Sequence, residues 1–213
     1  ITVNVGEGAT VQGDTFGIAT LAKFGSDPTT INVGAGSTVD ASFNGLGVGI
    51  GAVSFFSGDI NVNLLDSDEN APARVLGDTV GIGALAIGAG NVNVTLGSNT
   101  AVRSDTGNLG IGIAAAALDQ GNVAINVGTH AAVEADTTAI AAIAGGNGVN
   151  TVTISNDGRV QGNGIFAPVI FAASEGGTSI RNTGLIQGNL GANDPEQGRF
   201  ESIVLALGGP VTI

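Results

Sequence analysis

A short pattern of alternating apolar and polar positions recurs along the whole chain. Each copy reads apolar-x-apolar-x-apolar, followed by a polar, Gly-rich turn and one closing apolar residue. Clear copies are ITVNVGEGATV (1–11), TTINVGAGSTV (29–39), VNVTLGSNTAV (92–102), VAINVGTHAAV (123–133), NTVTISNDGRV (150–160) and TSIRNTGLI (178–186). Another copy starts at Ile60 and is interrupted by DSDENAPAR (66–74) before it resumes at Val75. Alternation with a period of two predicts β-strands.

The closing apolar residue of each copy measures the period of the repeat. It falls at Val11, Val39, Val75, Val102, Val133, Val160 and Ile186. The spacings are 28, 36, 27, 31, 27 and 26 residues; the longest contains the insertion, so the underlying period is near 27–28 residues. A small polar residue stands three positions after each of them: Asp14, Ser42, Asp78, Asp105, Asp136, Asn163 and Asn189. We expect these at solvated bends, because Asp and Asn bond the backbone of turns.

Each unit contains a second apolar stretch that is rich in Gly and Ala. The stretches are GIATLA (17–22), GVGIGAV (47–53), VGIGALA (80–86), GIGIAAA (110–116), AIAAIA (139–144), IFAPVIFA (165–172) and SIVLALG (202–208). Alternation in GVGIG and GIGIA favours strands, and AIAAIA takes the same assignment from its sister copies. Gly, Asn and Asp clusters between the units predict turns.

A unit this short cannot bury its own apolar face, but stacked units bury a continuous core. We therefore predict an all-β, single-stranded, right-handed parallel β-helix, a solenoid of about seven coils. Gly and Ala would fill its narrow interior where backbones approach closely. Residues 1–213 form one solenoid segment with insertions near 65–74 and 190–200. Because both termini fall inside strand patterns, we expect a fragment of a longer repeat protein.

Composition narrows the function classes. The chain has 37 Gly, 43% hydrophobic residues, no Cys, Met, Trp or Tyr, and a formal net charge of −12 with only six Lys and Arg. Its apolar content opposes disorder. The scarcity of basic residues argues against nucleic-acid binding and against docking on an anionic membrane. The apolar runs are too short to span a bilayer, so we expect no membrane-spanning segment.

Two copies, ISNDGRVQGN (154–163) and IRNTGLIQGN (180–189), share the pattern I-x-N-x-G-x-[IV]-x-G-N. This pattern resembles the β-helical passenger repeats of Gram-negative autotransporters and related filamentous-haemagglutinin-like surface proteins. The resemblance covers nearly the whole chain. It implies a secreted or cell-surface protein, anchored in the outer membrane through a region absent from this chain. It says little about activity, because such rods carry adhesins, proteases and toxins alike.

The expected function is a structural and presenting rod of an adhesin-like passenger domain. Its partner would be a ligand on a host or neighbouring cell, of a kind that the sequence leaves open. Self-association, end-to-end or lateral, is a second expectation, because strand edges at the ends of a solenoid can pair with other copies.

The insertion spaces its oxygen-bearing side chains as D-x-D-x-N in Asp66, Asp68 and Asn70, as calcium loops do. The remaining signature fails, because Ala71 stands where Gly is required and Gly77 where the bidentate Glu belongs. We therefore expect a solvated bulge and assign no cofactor and no metal, with calcium at these three residues kept as the alternative.

Partner contacts are predicted where the chain departs from its repeat. The insertion is exposed, acidic and irregular, and loops of this kind often carry function. The residues assigned to contact are Asp66, Asp68 and Glu69 in the first insertion, and Asp194, Glu196 and Arg199 in the second.

No catalytic or cofactor-binding residue is assigned, and we expect no enzymatic activity. His130, the only histidine, aligns with turn residues of other copies: Gly8, Gly36, Asn99 and Asp157. The alternative function is a β-helix polysaccharide lyase or hydrolase, which requires clustered carboxylates or basic residues. The nearest approaches are Asp14 with Asp40, and Arg159 with Arg181, on adjacent coils.

An ice-binding solenoid is a further alternative. It would need a flat face with a T-x-T pattern in every coil. Thr10 and Thr38 align in successive copies, but Arg74, Ala101 and Ala132 then interrupt the row.

Overall fold

A computed structural model shows a parallel β-helix. It describes residues 1–43, 45–104, 110–146, 149–164, 167–188 and 204–213. These residues form 22 strands and no helix, and the strands pair in parallel in three sheets. Each of seven coils adds one strand to each sheet, and the last strand begins a further passage. The predicted stack of about seven coils is confirmed.

The first sheet carries the alternating copies. Its strands are β1 (Thr2–Val5), β4 (Thr29–Val33), β7 (Ile60–Leu64), β10 (Val92–Leu96), β13 (Val123–Val127), β16 (Thr151–Asn156), β19 (Gly177–Asn182) and β22 (Val211–Thr212). A ladder of in-register apolar residues lines its inner face: Val3, Ile31, Val62, Val94, Ile125, Ile154 and Ile180. From Ile31 to Ile180 each of them is at most 2% exposed.

The second sheet is built from the closing residues of the copies. Its strands are β2 (Thr10–Gln12), β5 (Thr38–Ala41), β8 (Arg74–Gly77), β11 (Ala101–Ser104), β14 (Ala132–Ala135), β17 (Arg159–Gly162) and β20 (Leu185–Gly188). The seven markers from Val11 to Ile186 pair in register, which confirms the spacing found in the sequence. The sequence pattern treated each marker as the end of a unit, whereas the structure places it in a short strand of a separate sheet.

The third sheet is formed by the Gly- and Ala-rich stretches. Its strands are β3 (Phe16–Ala22), β6 (Val48–Ser54), β9 (Val80–Ala86), β12 (Ile111–Ala117), β15 (Thr138–Ala144), β18 (Ile170–Ser174) and β21 (Val204–Gly208). The strand assignment of AIAAIA is confirmed by β15. Its inner face carries an in-register ladder: Ile18, Ile50, Ile82, Ile113, Ile140, Ile170 and Val204.

Glycine in the third sheet allows it to approach the second sheet closely. The second position of its first four strands is glycine: Gly17, Gly49, Gly81 and Gly112. A Cβ atom on Gly81 would lie 2.5 Å from Val102 Cγ1 and 2.6 Å from the carbonyl oxygen of Gly112. The expected narrow interior is therefore present, and glycine is required there for lack of space.

Outside the third coil, where the insertion makes the connection, two kinds of turn join the first sheet to the second. In most coils this turn contains a residue with positive φ, such as Gly36, Asn99 (55°) or His130 (58°). In the sixth coil only Asp157 and Gly158 separate β16 from β17. The sequence alignment of Asp157 with His130 was wrong. The Asp157 N–H donates to Val127 O, so Asp157 takes the position that Gly128 takes one coil earlier.

The shorter turn explains the Asn of the I-x-N-x-G pattern. Asn156 points inward in register with Val127 and is fully buried. Its Nδ2 donates to Asn182 Oδ1 at 2.7 Å and to Leu185 O at 3.2 Å, while its Oδ1 accepts from the Gly158 N–H at 3.1 Å. These bonds satisfy a buried amide and close the two-residue turn.

Candidate functional site

The insertion at 66–74 projects from the corner between the first and second sheets. Asp68 and Ala71 form an isolated antiparallel bridge, with Glu69 and Asn70 at the tip of the turn between them. Ser67 anchors the base: its Oγ accepts from the Ala73 N–H at 3.1 Å. Asp66, Asp68 and Glu69 are exposed, so the side chains predicted to contact a partner are accessible.

The candidate calcium ligands do not share one environment. Asp66 Oδ1 accepts a hydrogen bond from the Ser98 N–H of the next coil at 2.6 Å, whereas Asp68 and Asn70 lie in the projecting turn. Among the described residues, no three His, Asp or Glu side chains come close enough together to hold a metal ion. Asp66 thus forms a hydrogen bond that connects two neighbouring coils.

The second predicted contact loop cannot be placed. Asp194, Glu196 and Arg199 lie outside the described residues, as do Asp105 and Asn189 of the polar series at the bends.

The polar series at the bends is not uniformly solvated. Asp14 is exposed, but Asp78 is only 7% exposed, which corrects the expectation of a solvated turn there. The Asp78 carboxylate accepts hydrogen bonds from the Gly45 N–H and, at 3.5 Å, from the Gly47 N–H, both in the preceding coil. It therefore binds the turn of a neighbouring coil, whereas the sequence analysis expected it to bond the backbone of its own turn.

A groove runs beside the insertion, across the corner and onto the outer face of the second sheet. It consists of two adjoining depressions, of about 550 Å³ and 290 Å³. The larger includes Glu69, His130 and Arg159, and the smaller includes Arg74 and Arg103. Both share Pro72, Ala101 and Ala132. His130 is an exposed turn residue at this corner.

The arginines predicted as neighbours lie on different faces. Arg159, on the second sheet, pairs with Glu134 at 3.0 Å. Arg181, on the first sheet, pairs with Asp157 at 3.0 Å. The Thr183 hydroxyl, which donates to Asp157, and the Arg181 guanidinium hold the pKa of this carboxyl below its ordinary value, although partial desolvation opposes them. Each arginine thus has its own carboxylate, and the two do not form a patch.

The outer face of the first sheet is polar and mostly uncharged. Asn32 Nδ2 donates to Asn4 Oδ1 at 2.8 Å, and Asn63 Nδ2 donates to Asn32 Oδ1 at 2.9 Å. Asn93 Nδ2 donates to Asn61 Oδ1 at 2.9 Å in a parallel row. The Thr10–Thr38 row considered for ice binding lies instead on the second sheet, where Arg74 follows it in register.

The outer face of the third sheet is apolar, and sequence reasoning missed it. Its outward side chains form three rows across the coils. The first row is Phe16, Val48, Val80, Ile111 and Thr138. The middle row, here called the valley, is Ala19, Gly51, Gly83, Ala114 and Ala141. The last row, here called the ridge, is Leu21, Val53, Leu85, Ala116, Ile143, Ala173 and Leu207. Phe171 and Leu205 continue the middle row.

This apolar face contains no charged side chain among the residues that the structure describes. Phe16 is 47% exposed, Leu21 53% and Leu207 48%. The valley forms a depression of about 450 Å³ bordered by Val53, Leu85 and Ile143 of the ridge. Phe24 and Phe56 stack at 5.8 Å at the adjacent corner and extend the apolar surface. The sequence signal for this outer face was that VGIGALA has apolar residues at both odd and even positions, and therefore on both faces of its strand.

No protein-family model matches this chain, and searches of curated proteins and of solved structures found no significant match. Among the described residues, none belongs to a helix able to cross a membrane.

Proposed function

We propose that this chain is a structural and presenting rod in the passenger region of a secreted or cell-surface bacterial protein of adhesin type. The observation that supports this proposal most is the set of apolar ladders that run through the coils without a break in register. Stability in such a stack is shared between neighbouring coils, so the scaffold can be long while each coil stays short.

The I-x-N-x-G copies supply the link to autotransporter and filamentous-haemagglutinin-like passenger repeats. In these copies Asn156 and Asn182 bond to each other across two coils. Gly158 and Gly184 lie where a Cβ would meet backbone oxygens, at 2.3 Å from Ala131 O and 2.0 Å from Gly158 O. The pattern thus has a physical role in stacking coils, and on the strength of the resemblance we assign the chain an extracellular location with an outer-membrane anchor elsewhere in the protein.

The element presented for adhesion is the insertion with the groove beside it. Glu69 stands at the tip of the insertion and also lines the groove, so a ligand from a host or neighbouring cell that contacts one also contacts the other. Arginine and carboxylate side chains along the groove offer donors and acceptors for polar recognition.

Surface exposure is tested on cells that produce the full-length protein. Antibodies against this chain should label intact cells or find it in the culture medium, and external protease should remove the label. A cytoplasmic protein probed in the same cells is the control for lysis. Label that appears only after the cells are broken would overturn the proposal.

The presenting role is tested with the double variant Asp68→Lys/Glu69→Lys, which reverses two exposed charges in the turn. Cells displaying this variant should attach less to host or neighbouring cells than cells displaying the native protein at equal surface density. Thr95→Ser, on the outer face of the first sheet, is the matched control. Equal attachment of the double variant would show that the insertion does not contribute to adhesion.

A further inference from the structure

We infer that the apolar face of the third sheet is a lateral interface that pairs this chain with a second copy of itself. The inference rests on the proposed function as a surface rod, and it names the partner of that rod. Contiguous exposed apolar surfaces of this extent mark interaction sites in soluble proteins. Three observations point to a second copy as the occupant: charge distribution, area and shape.

Charge favours the third sheet over the second as a contact between copies, and the first sheet offers a polar outer face with no comparable apolar surface. The net charge is −12. Among the described acidic residues, only Asp40 and Glu134 lie in strands, both on the second sheet, and the others lie in turns. Two copies that meet through the third sheets therefore bring no strand carboxylate into the contact, and Glu175 stays at its edge, beside Ala173 and Leu207 of the ridge.

The area of the face is that of a small interface between proteins. Seven strands at about 4.8 Å spacing span about 29 Å, and the three outward rows span about 20 Å along the strands. The whole face is thus about 600 Å², so two copies in contact over all of it would bury about 1,200 Å², the lower end of the range for stable interfaces, and a contact of ridge and valley alone buries less.

The face is also complementary to itself. The ridge carries Leu21, Val53, Leu85 and Ile143, while the valley beside it carries only Gly and Ala over five coils. A two-fold axis parallel to the rod, between ridge and valley, places each ridge over the valley of the other copy. Rods in opposite directions would instead set ridge against ridge. The pair is therefore parallel, which also suits two rods anchored at the same end in one surface.

Sedimentation velocity over a concentration series tests the interface with three variants. Leu85→Glu places a charge on the ridge and should raise the dimer Kd by about 100-fold or more. Leu76→Glu, the same change in the same coil on the outer face of the second sheet, is the matched control and should leave the Kd within about two-fold. Gly83→Val fills the valley with apolar volume and should raise the Kd by about 10-fold.

Gly83→Val separates a shaped interface from unspecific apolar adhesion, because added apolar surface would strengthen the latter. A Cβ on Gly83 has room in the single chain, with its nearest neighbour at 3.7 Å, and the position faces outward, so we expect this variant to fold even if Leu85→Glu does not. Far-UV circular dichroism checks both. Raising the salt concentration should tighten the dimer, because it screens repulsion between two acidic chains.

Orientation is tested with Ala19→Cys, since the native chain has no Cys. In the parallel pair the two copies of this valley position in the first coil lie in sheets about 10 Å apart and are offset by about two residues along the strand, which puts them about 12 Å apart. A short bis-maleimide should therefore join them. Absence of that cross-link in a dimer would overturn the parallel arrangement.

A native chain that stays monomeric across the accessible concentration range would overturn the interface. Association that survives Leu85→Glu would also overturn it and would move the contact to the strand edges at the ends of the rod. Neither result would affect surface labelling of cells, which tests the proposed function alone. Conversely, a dimer of a chain retained inside cells would overturn only the proposed function.

Discussion

Replacing Gly81 by Ala adds one methyl group where the third sheet packs against the second. The new Cβ would lie 2.5 Å from Val102 Cγ1 and 2.6 Å from Gly112 O, and one of these contacts is with backbone. Gly83 stands two residues later in the same strand, with its nearest neighbour for a Cβ at 3.7 Å. The two substitutions are chemically identical and differ only in the space that receives the methyl group.

The expected effects have opposite signs. Overpacking at Gly81 should lower the free energy of unfolding by about 1–3 kcal/mol, because backbone atoms of two coils must move. Gly83→Ala should raise it by up to about 1 kcal/mol, because alanine restricts the unfolded chain and meets no clash in the folded one.

Urea unfolding followed by far-UV circular dichroism measures both variants against the native chain. The protein is kept at the lowest practical concentration, so that dimerisation does not contribute to the midpoint. Equal midpoints for Gly81→Ala and Gly83→Ala would refute the reasoning, because they would show that glycine is not required by close packing between these sheets.

Three further predictions concern the interior and one exposed cluster. Ile82→Ala should lower the free energy of unfolding by about 2–5 kcal/mol, and Ile82→Val by about 0.5–1.5 kcal/mol, measured by urea unfolding. Asn156→Ala should lower it by about 1–3 kcal/mol, because the Gly158 N–H loses its acceptor in a partly buried turn. Thr183→Val should raise the pKa of the Asp157 carboxyl toward its ordinary value, measured by NMR titration, because its largest stabilising hydrogen bond is removed.

The acid dependence of stability follows from the direction of the Asp157 shift. A carboxyl whose pKa is lower in the folded state stabilises the fold above its unfolded-state pKa of about 3.9. That contribution is lost as the pH falls through the lower, folded-state value. Native chain should therefore lose more stability than Thr183→Val on acidification through this window, and an equal loss would contradict the assignment.

The stacked core could be predicted from the sequence because its signal is repeated. Val11, Val39 and Val75 keep the same place relative to their turns, and stacking requires them to pair in register. Glycines in every copy indicated a narrow interior. The separate second sheet was missed, because a strand of three or four residues has too few positions for alternation to be recognised.

Turn geometry was harder to predict. Asp157 and His130 each stand three residues before the closing valine of their copy. Strand pairing nevertheless places Asp157 opposite Gly128. Two fewer residues in the turn, together with the inward Asn156, shift the hydrogen-bonding register without changing the spacing of the valines. Burial of Asp78 was likewise missed, since its partners lie in the preceding coil.

The apolar face escaped prediction for a different reason. Alternation predicts large residues inward and small residues as fillers, and it does not by itself show that the outward positions of VGIGALA are apolar as well. Val80, Gly83 and Leu85 all point outward there. Only the pairing of equivalent strands shows that these positions form a continuous surface across seven coils.

Hydroxyl-radical footprinting over a concentration series tests lateral pairing most directly, because it measures the accessibility of individual side chains. At high concentration Phe16, Leu21 and Leu85 should lose reactivity together, while Leu76 and Leu185 on the second sheet keep theirs. Reactivity of the third-sheet residues that does not change with concentration, or protection confined to the strands at the two ends, would contradict it.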